Sequence, residues 1–344
     1  MKIHRNLFNK IISLDNLFLA WTEFRKDKQQ KPDVQKFEFS LEQNIFQLHY
    51  ELETKTYKHG PYLGFYISDP KLRHIHKATV RDRVLHHAIF QTLNPLFDPT
   101  FISASFSCRL NKGTHKGVIA LEKMMRQESK NYTRTCWVLK CDVKKFFDSI
   151  NHQVLLKLLG NKINDSDTMW LLKEIIGSFS TKKSDLFTQL GVPIGNLTSQ
   201  LFANVYMNEF DQFMKHQLKV KHYARYTDDF VIVSTNRKYL SNLLTPIRLF
   251  LKNQLTLELH PSKISIRKCS YGVDFLGYTV LPHYRLVRTK TKQRIFKKVR
   301  RNRERLEAGL ISQESFEQSL QSYFGVLKHC QGHKISQELF YIAF

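Results

Sequence analysis

Acid is scarce in this chain. Asp and Glu number 30 against 54 Lys and Arg, a formal net charge of +24 over 344 residues. A field of that sign attracts polyanions, of which nucleic acid is the usual one. The five cysteines, Cys108, Cys136, Cys141, Cys269 and Cys330, include no C-x-x-C pair. That argues against a zinc site, and an odd, scattered set suits a reducing cytosol. No apolar run approaches the ~20 residues that span a bilayer. The opening Met1-Lys2-Ile3-His4-Arg5 leads to no long apolar stretch and no small-residue cleavage site, so neither a membrane span nor a signal peptide is expected. Internal repeats and low-complexity tracts are missing too. What is present is a core-forming composition: 42% apolar and 12% aromatic, with 26 Phe and 14 Tyr. That favours a packed body of two or three subdomains over a ribosome-like or membrane-surface basic protein.

Read in order, residues 1 to about 60 carry two helical stretches. Leu7, Ile11, Ile12, Leu17, Phe18 and Trp21 form the first, and Phe39, Leu41, Ile45, Phe46 and Leu48 the second. The basic break at residues 25–32 separates them, and Gly60-Pro61 closes the second. Residues 62–67 and 71–78 read as strands joined by an Asp69-Pro70 turn; a helix opens at Arg81-Asp82-Arg83. A basic hairpin of this kind is either a solvated face or a cover for a triphosphate, where Arg offers a fork of donors. A Gly-punctuated basic loop, Asn111-Lys112-Gly113-Thr114-His115-Lys116-Gly117, precedes a helix over 118–125 and is a weak phosphate-loop signal. His86-His87 reads as surface or core, not as a ligand pair.

Helices are expected over 154–159 and 169–176, with a polar Ser/Thr/Lys loop completing residues 160–190. The tight turn Gly191-Val192-Pro193-Ile194-Gly195-Asn196 precedes a helix from near Leu201, with Thr198 as its cap. Residues 238–257 are amphipathic, with Pro246 expected to kink or restart the helix. Residues 257–264 and 275–280 read as strands. Between Arg285 and Arg305 stand eleven Lys or Arg and one acid, Glu304, on a helix whose apolar stripe is Ile295, Phe296, Val299 and Leu306. A last helix carries Phe316, Leu320, Phe324 and Leu327, with Ser315 and Gln318 resembling a capping box.

The chemistry concentrates in carboxylates. Two β-prone runs flank Tyr226-Thr227-Asp228-Asp229-Phe230, and the join between them carries two adjacent acids. Side by side, such acids repel and lose solvation unless a cation is present. Alone they are either a solvated turn or a site for a hard divalent ion, Mg²⁺ or Mn²⁺. A third acid, Asp142, ends the buried-strand run 136–141. Carboxylates that bridge two metals ~4 Å apart are a known solution for phosphoryl transfer.

The order of these pieces resembles the reverse transcriptase family across nearly the whole chain. The residues that carry the likeness are D-V-K-K-F-F-D-S-I from Asp142, P-I-G-N-L-T-S-Q-L-F-A-N-V-Y-M from Pro193, and Y-T-D-D. The resemblance implies catalytic carboxylates at Asp142, Asp228 and Asp229, two Mg²⁺ (Mn²⁺ as an alternative) held by these and by Val143, and a proton-donating lysine at Lys263. It implies an aromatic gate against the ribose 2′-hydroxyl at Phe147, nucleotide contacts at Arg73, Arg81, Val143, Ile194, Gly195 and Gln200, and a primer grip over 275–280. The implied fold is α+β, a right-hand polymerase. A helical extension would span 1–60, fingers 61–135, an antiparallel-sheet palm 136–284 with finger-type helices between 160 and 190, and a basic helical thumb 285–344.

Group II intron reverse transcriptases carry Q-G-x-x-x-S-P where this chain has Ile194-Gly195-Asn196-Leu197-Thr198-Ser199-Gln200. I-G-x-x-x-S-Q resembles the enzymes of diversity-generating retroelements, as do S-F-S-C-R-L-N-K-G-T-H-K, R-D-R-V-L-H-H-A and S-Y-F-G-V-L-K-H. That likeness implies copying of a template-repeat RNA into cDNA with errors at adenine. The partners would be template RNA, primer or cDNA, dNTPs and a small basic accessory variability protein, in a bacterial or phage-infected cytoplasm. The alternatives are a related reverse transcriptase in phage defence or intron mobility, and a non-catalytic RNA-binding protein on a polymerase scaffold. The three intact acids argue against the last.

Overall fold

The computed structural model describes residues 3–68, 72–181, 184 and 188–343. The expected Asp69-Pro70 turn and most of the polar stretch at 182–187 lie outside the described residues. The chain divides into two compact units. One holds residues 1–103, 143–219 and 246–261; the other holds 104–142, 220–245 and 262–344. Both are discontinuous in sequence, and the helix Arg237–Leu255 carries the chain from the second into the first.

The first unit is mainly helical. Its N-terminal part contains four helices, Leu7–Ile12, Leu14–Arg25, Pro32–Phe39 and Leu41–Glu53, where two were expected. The breaks have local causes. Ser13 ends the first helix and caps the second by accepting from Asn16 N, and Pro32 opens the third at its first turn. The helix Leu197–Gln212 is buried on nearly all sides, from Thr198 and Ser199 to Phe210 and Asp211. It starts four residues earlier than its apolar spacing suggests, so Thr198 lies inside it and Asn196 precedes it. Tyr206 on this helix accepts from Asn151 N at 3.3 Å and donates to Leu255 O at 2.7 Å, tying three segments together.

The helix Val80–Phe97 begins with Thr79, which accepts from Asp82 N. The fully buried Asp82 carboxylate accepts from Tyr57 Oη (2.8 Å), Thr79 Oγ1 (2.6 Å) and Gly60 N (3.1 Å). Burial raises its pKa, but His59, these hydroxyls and Arg81 outweigh that and hold it below the usual range. Two strands, β1 (Leu63–Ile67) and β2 (Arg73–Lys77), form an exposed antiparallel hairpin in this unit.

The second unit contains two antiparallel sheets. β3 (Trp137–Asp142), β4 (Tyr223–Tyr226), β5 (Asp229–Ser234) and β6 (Ser265–Lys268) are ordered β4-β5-β3-β6. β7 (Val273–Phe275), β8 (Tyr278–Leu281) and β9 (Tyr284–Val287) form a meander. Residues 275–280 are thus the end of β7, a turn and the start of β8, not one strand, because Leu276 and Gly277 adopt positive φ of 49° and 90°. Over 257–264 the expected strand is reduced to an isolated bridge from Leu259 to Val143, followed by the single-turn helix Pro261–Lys263, and β6 begins at Ser265. The helix Arg237–Leu255 runs through Pro246 without interruption.

The helices Thr289–Glu307, Gln313–Leu327 and His333–Ala343 complete the second unit; the sequence pattern foresaw the first two. The cap of Gln313–Leu327 is Ser312, accepting from Ser315 N at 3.2 Å, three residues before the expected one. One core joins both sheets to these helices and to the helix Thr114–Glu128, through Val138, Val231, Phe275, Val280, Ile295, Phe316 and Leu339. Helices with antiparallel sheets make this an α+β protein, as expected.

Candidate active site

The acids expected to carry the chemistry meet on the four-stranded sheet of the second unit. β3 runs antiparallel to β5 in a register that pairs Leu139 with Ile232, Cys141 with Phe230, and Asp142 with Asp229. These apolar pairs are buried, and so are Val138, Val231 and Val233 on the opposite face, so both faces of the sheet are covered here. Asp142 comes at the strand end and is only 7% exposed. β4 and β5 are joined by Thr227-Asp228, and Asp229 is the first residue of β5, opposite Tyr226. The turn therefore holds one acid and the strand the other, one residue away from the expected Asp-Asp join.

Lys263 is brought to the same place. β6 pairs with β3 from Trp137–Lys268 to Lys140–Ser265. Lys263 ends the single-turn helix Pro261–Lys263 just before β6, and its Nζ stands 2.6 Å from Asp142 Oδ1. A second ammonium, Lys140 Nζ, donates to Asp274 O at 3.0 Å and lies 3.8 Å from Asp229 Oδ1. Sequence reasoning passed over Lys140. The signal was there: two residues before Asp142 on one strand is the same face.

Asp228 is the electrostatically costly member. Burial, then the charges of Asp142 and Asp229, push its carboxyl up to about 6, from an ordinary 3.8. Among the described residues, no three His, Cys, Asp or Glu side chains converge as a ready metal-ligand set; Lys263 and Lys140 engage Asp142 and Asp229 instead. The donor chemistry nevertheless suits a divalent cation. Three carboxylates are hard oxygen ligands, and the elevated Asp228 is the group whose ionisation such a cation favours.

The remaining predicted residues lie in the first unit. Val143 is buried and bridges Leu259. Phe147, half-buried, stacks edgewise on Phe146 (5.3 Å between centroids, 66°), and its carbonyl accepts from Val192 N. Ile194 and Gly195 lie against β2: Ile194 O accepts from His76 N at 3.1 Å, and Asn196 Nδ2 donates to His76 O at 3.1 Å. At φ 113° Gly195 takes a conformation that disfavours side chains, and a Cβ there would meet Ile75 Cγ2 at 2.9 Å. Gln200 and Gly195 share a pocket with Ile75, Lys77 and Arg83.

Arg73 is exposed on β2. Arg81 differs: its guanidinium donates to Glu51 Oε2 at 2.7 Å and Lys58 O at 2.6 Å, and lies over the Tyr57 ring. The structure thus groups Asp142, Asp228, Asp229 and Lys263 in one place, groups Ile194, Gly195 and Gln200 with β2 in another, and engages Arg81 in internal contacts.

A family model described as reverse transcriptase (RNA-dependent DNA polymerase) matches residues 58–280. Protein YkfC of Escherichia coli is 26% identical over 272 residues, covering 67% of this chain and 69% of that protein. The group II intron-encoded protein LtrA of Lactococcus lactis is 24% identical over 305 residues, covering 70% of this chain and 50% of the relative. A putative COX1/OXI3 intron 2 protein of Saccharomyces cerevisiae is 22% identical, covering 58% and 29%. The chain thus spans half or less of these two intron-encoded relatives. Among solved structures, telomerase from Candida albicans superposes with a TM-score of 0.48 at 11% identity, covering 82% of this chain and 55% of that one. The matched span contains all three acids and Lys263, and the α+β build agrees with the right-hand polymerase class: the chain belongs to the reverse transcriptase (RNA-dependent DNA polymerase) family.

Proposed function

We propose that this chain is an RNA-directed DNA polymerase that extends a primer by phosphoryl transfer at Asp142, Asp228 and Asp229. The observation that carries the reading is the register pair Asp142–Asp229 beside a turn acid whose carboxyl is raised to about 6. The three carboxylates and the Val143 carbonyl would hold divalent metal, Mg²⁺ by the hardness of the donors. Divalent metal bound there would supply activation of the primer 3′-hydroxyl and charge neutralisation for the leaving pyrophosphate. Lys263 donates a proton to that pyrophosphate. Arg73 and Arg81 contact the triphosphate, Arg81 after exchanging its internal partners, and Phe147 rejects a 2′-hydroxyl.

In domain terms, fingers occupy 61–135, palm 136–284 and thumb 285–344, after a helical extension over 1–60. The helix Thr289–Glu307 buries only Ile295 and Val299, and its exposed Lys290, Lys297, Arg300, Arg301 and Arg305 would meet duplex phosphates. Primer extension on an RNA template, with Asp228→Asn as control, tests the polymerase reading.

The finer proposal is that the enzyme makes adenine-mutagenised cDNA from a template-repeat RNA for a diversity-generating retroelement. It would act with a small basic accessory protein, in a bacterial or phage-infected cytoplasm. I-G-x-x-x-S-Q at residues 194–200 supports it. Ile194 has no hydrogen-bonding side chain to hold an incoming nucleotide, so base geometry is constrained less tightly. A second reading, intron mobility, is favoured by the intron-encoded relatives. Sequencing the cDNA separates them: errors concentrated at template adenines support the first, and accurate copying the second. Among the described residues no helix is long and apolar enough to cross a membrane.

A further inference from the structure

The turn that carries Asp228 is built in a conformation its own residues do not favour. Thr227 has φ of 54°, a left-handed geometry that is uncommon for a β-branched side chain. Such a residue persists only where its surroundings over-determine it. Here those surroundings come from residues 104–107, Ala104 and the start of the S-F-S-C-R run. This segment lies beside β4: Arg225 N donates to Ala104 O at 3.0 Å, and Phe106 N donates to Arg225 O at 2.9 Å.

Two side-chain contacts then reach the turn. Arg225, fully buried, donates from Nη1 to Thr227 O at 3.0 Å and from Nη2 to Ser105 Oγ at 3.0 Å. Ser107, 2% exposed, shares a hydrogen bond with Thr227 at 2.6 Å between hydroxyls. Both the carbonyl and the side chain of Thr227 are therefore gripped from buried positions. A guanidinium with no exposed surface is costly to bury unless its donors are used, and this one uses two on the turn and its brace.

We propose that Ser107 and Arg225 are positioning residues that lock the left-handed Thr227 turn and thereby set where Asp228 stands. Their consequence for catalysis rests on the polymerase reading; their grip on the turn does not. Misplacing a reacting group by about 1 Å costs up to ~100-fold in rate. Loss of one of the two contacts is expected to cost about tenfold.

The experiment compares Ser107→Ala, Thr227→Ala and their combination with the wild type. Thr227→Ala approaches the same contact from the half-buried turn and guards against misfolding of the buried variant. Single-nucleotide extension rates, primer–template affinity and amide hydrogen exchange over residues 226–230 would be measured. Each single variant should slow extension about tenfold at unchanged primer–template affinity and speed exchange in that segment. The double variant should be no worse than the slower single one, because both remove one contact. Thr227→Ser, which keeps the hydroxyl, should restore both readouts.

Wild-type exchange over 226–230 in Ser107→Ala and Thr227→Ala, or independent multiplication of their effects, would overturn the proposal. A wild type that does not extend an RNA-templated primer defeats the polymerase reading instead, and the exchange comparison then decides the brace alone.

Discussion

Asp142 and Asp229 stand opposite each other as the last register pair of two antiparallel strands, β3 and β5. Asp228 adjoins the pair in the turn, and Lys263 caps Asp142 at 2.6 Å. Three acids and one lysine from three distant stretches of sequence thus share one sheet end. The β3–β5 register sets Asp142 against Asp229, while the turn carries Asp228 and the single-turn helix Pro261–Lys263 carries Lys263. The cost of this concentration falls on Asp228, whose carboxyl is raised to about 6.

That cost predicts opposite effects on stability and activity. At pH 7.5 Asp228 is ionised, and a shift from 3.8 to about 6 is worth at most about 3 kcal/mol. Asp228→Asn should unfold at a higher temperature than the wild type in metal-free buffer, as calorimetry would show, while losing polymerisation. A lower unfolding temperature would mean that the turn acid is not under repulsion.

Lys263 should matter to the chemical step more than to binding. A proton donor contributes about 100- to 10,000-fold. Lys263→Met is expected to lower the single-turnover rate by at least about 100-fold with little change in dNTP affinity. If affinity falls and the rate at saturation holds, Lys263 serves only as the counter-ion of Asp142.

Ile194→Gln would return a hydrogen-bonding side chain to the turn before the helix Leu197–Gln212. Errors opposite template adenine should drop several-fold, read by sequencing cDNA from a defined template. An unchanged error spectrum would detach infidelity from this position.

His86 gives a pH dependence of stability. It is 1% exposed and both ring nitrogens lack a hydrogen-bond partner. Burial first, then the charge of His59, lowers its pKa from 6.5 to about 3. The unfolded chain takes up a proton at this residue near pH 6.5 and the folded chain does not until about pH 3. Stability is therefore lost as pH falls through that window, by about 2 kcal/mol at pH 5. Melting curves from pH 7.5 to 5 should fall less steeply for His86→Phe than for the wild type. Equal slopes would place the acid sensitivity elsewhere.

The contrast between these residues shows what the sequence could reveal. Asp142, Asp228 and Asp229 were legible because an acid after an apolar β-run is chemically conspicuous. Lys263 was named only through family resemblance, since its place beside Asp142 depends on the single-turn helix Pro261–Lys263, where periodicity over 257–264 suggested a strand. Thr227 looked like an ordinary turn residue; its left-handed φ and its grip by Ser107 and Arg225 come from contacts 120 residues apart or held by a buried side chain. The internal partners of Arg81, Glu51 and the Lys58 carbonyl, were not legible either, because they come from 30 and 23 residues away. The C-terminal helix His333–Ala343 escaped because it buries only Leu339 and Ala343, too few positions to set a period.

The most direct test of the central claim is extension of a DNA primer on an RNA template with Mg²⁺ and all four dNTPs. Wild type and Asp228→Asn would be compared alone and with the accessory protein and structured template RNA added. The account predicts cDNA from the wild type, none from Asp228→Asn, and loss of product when the metal is chelated. Equal product from both proteins, or none from the wild type even with the partner and template RNA present, would contradict it.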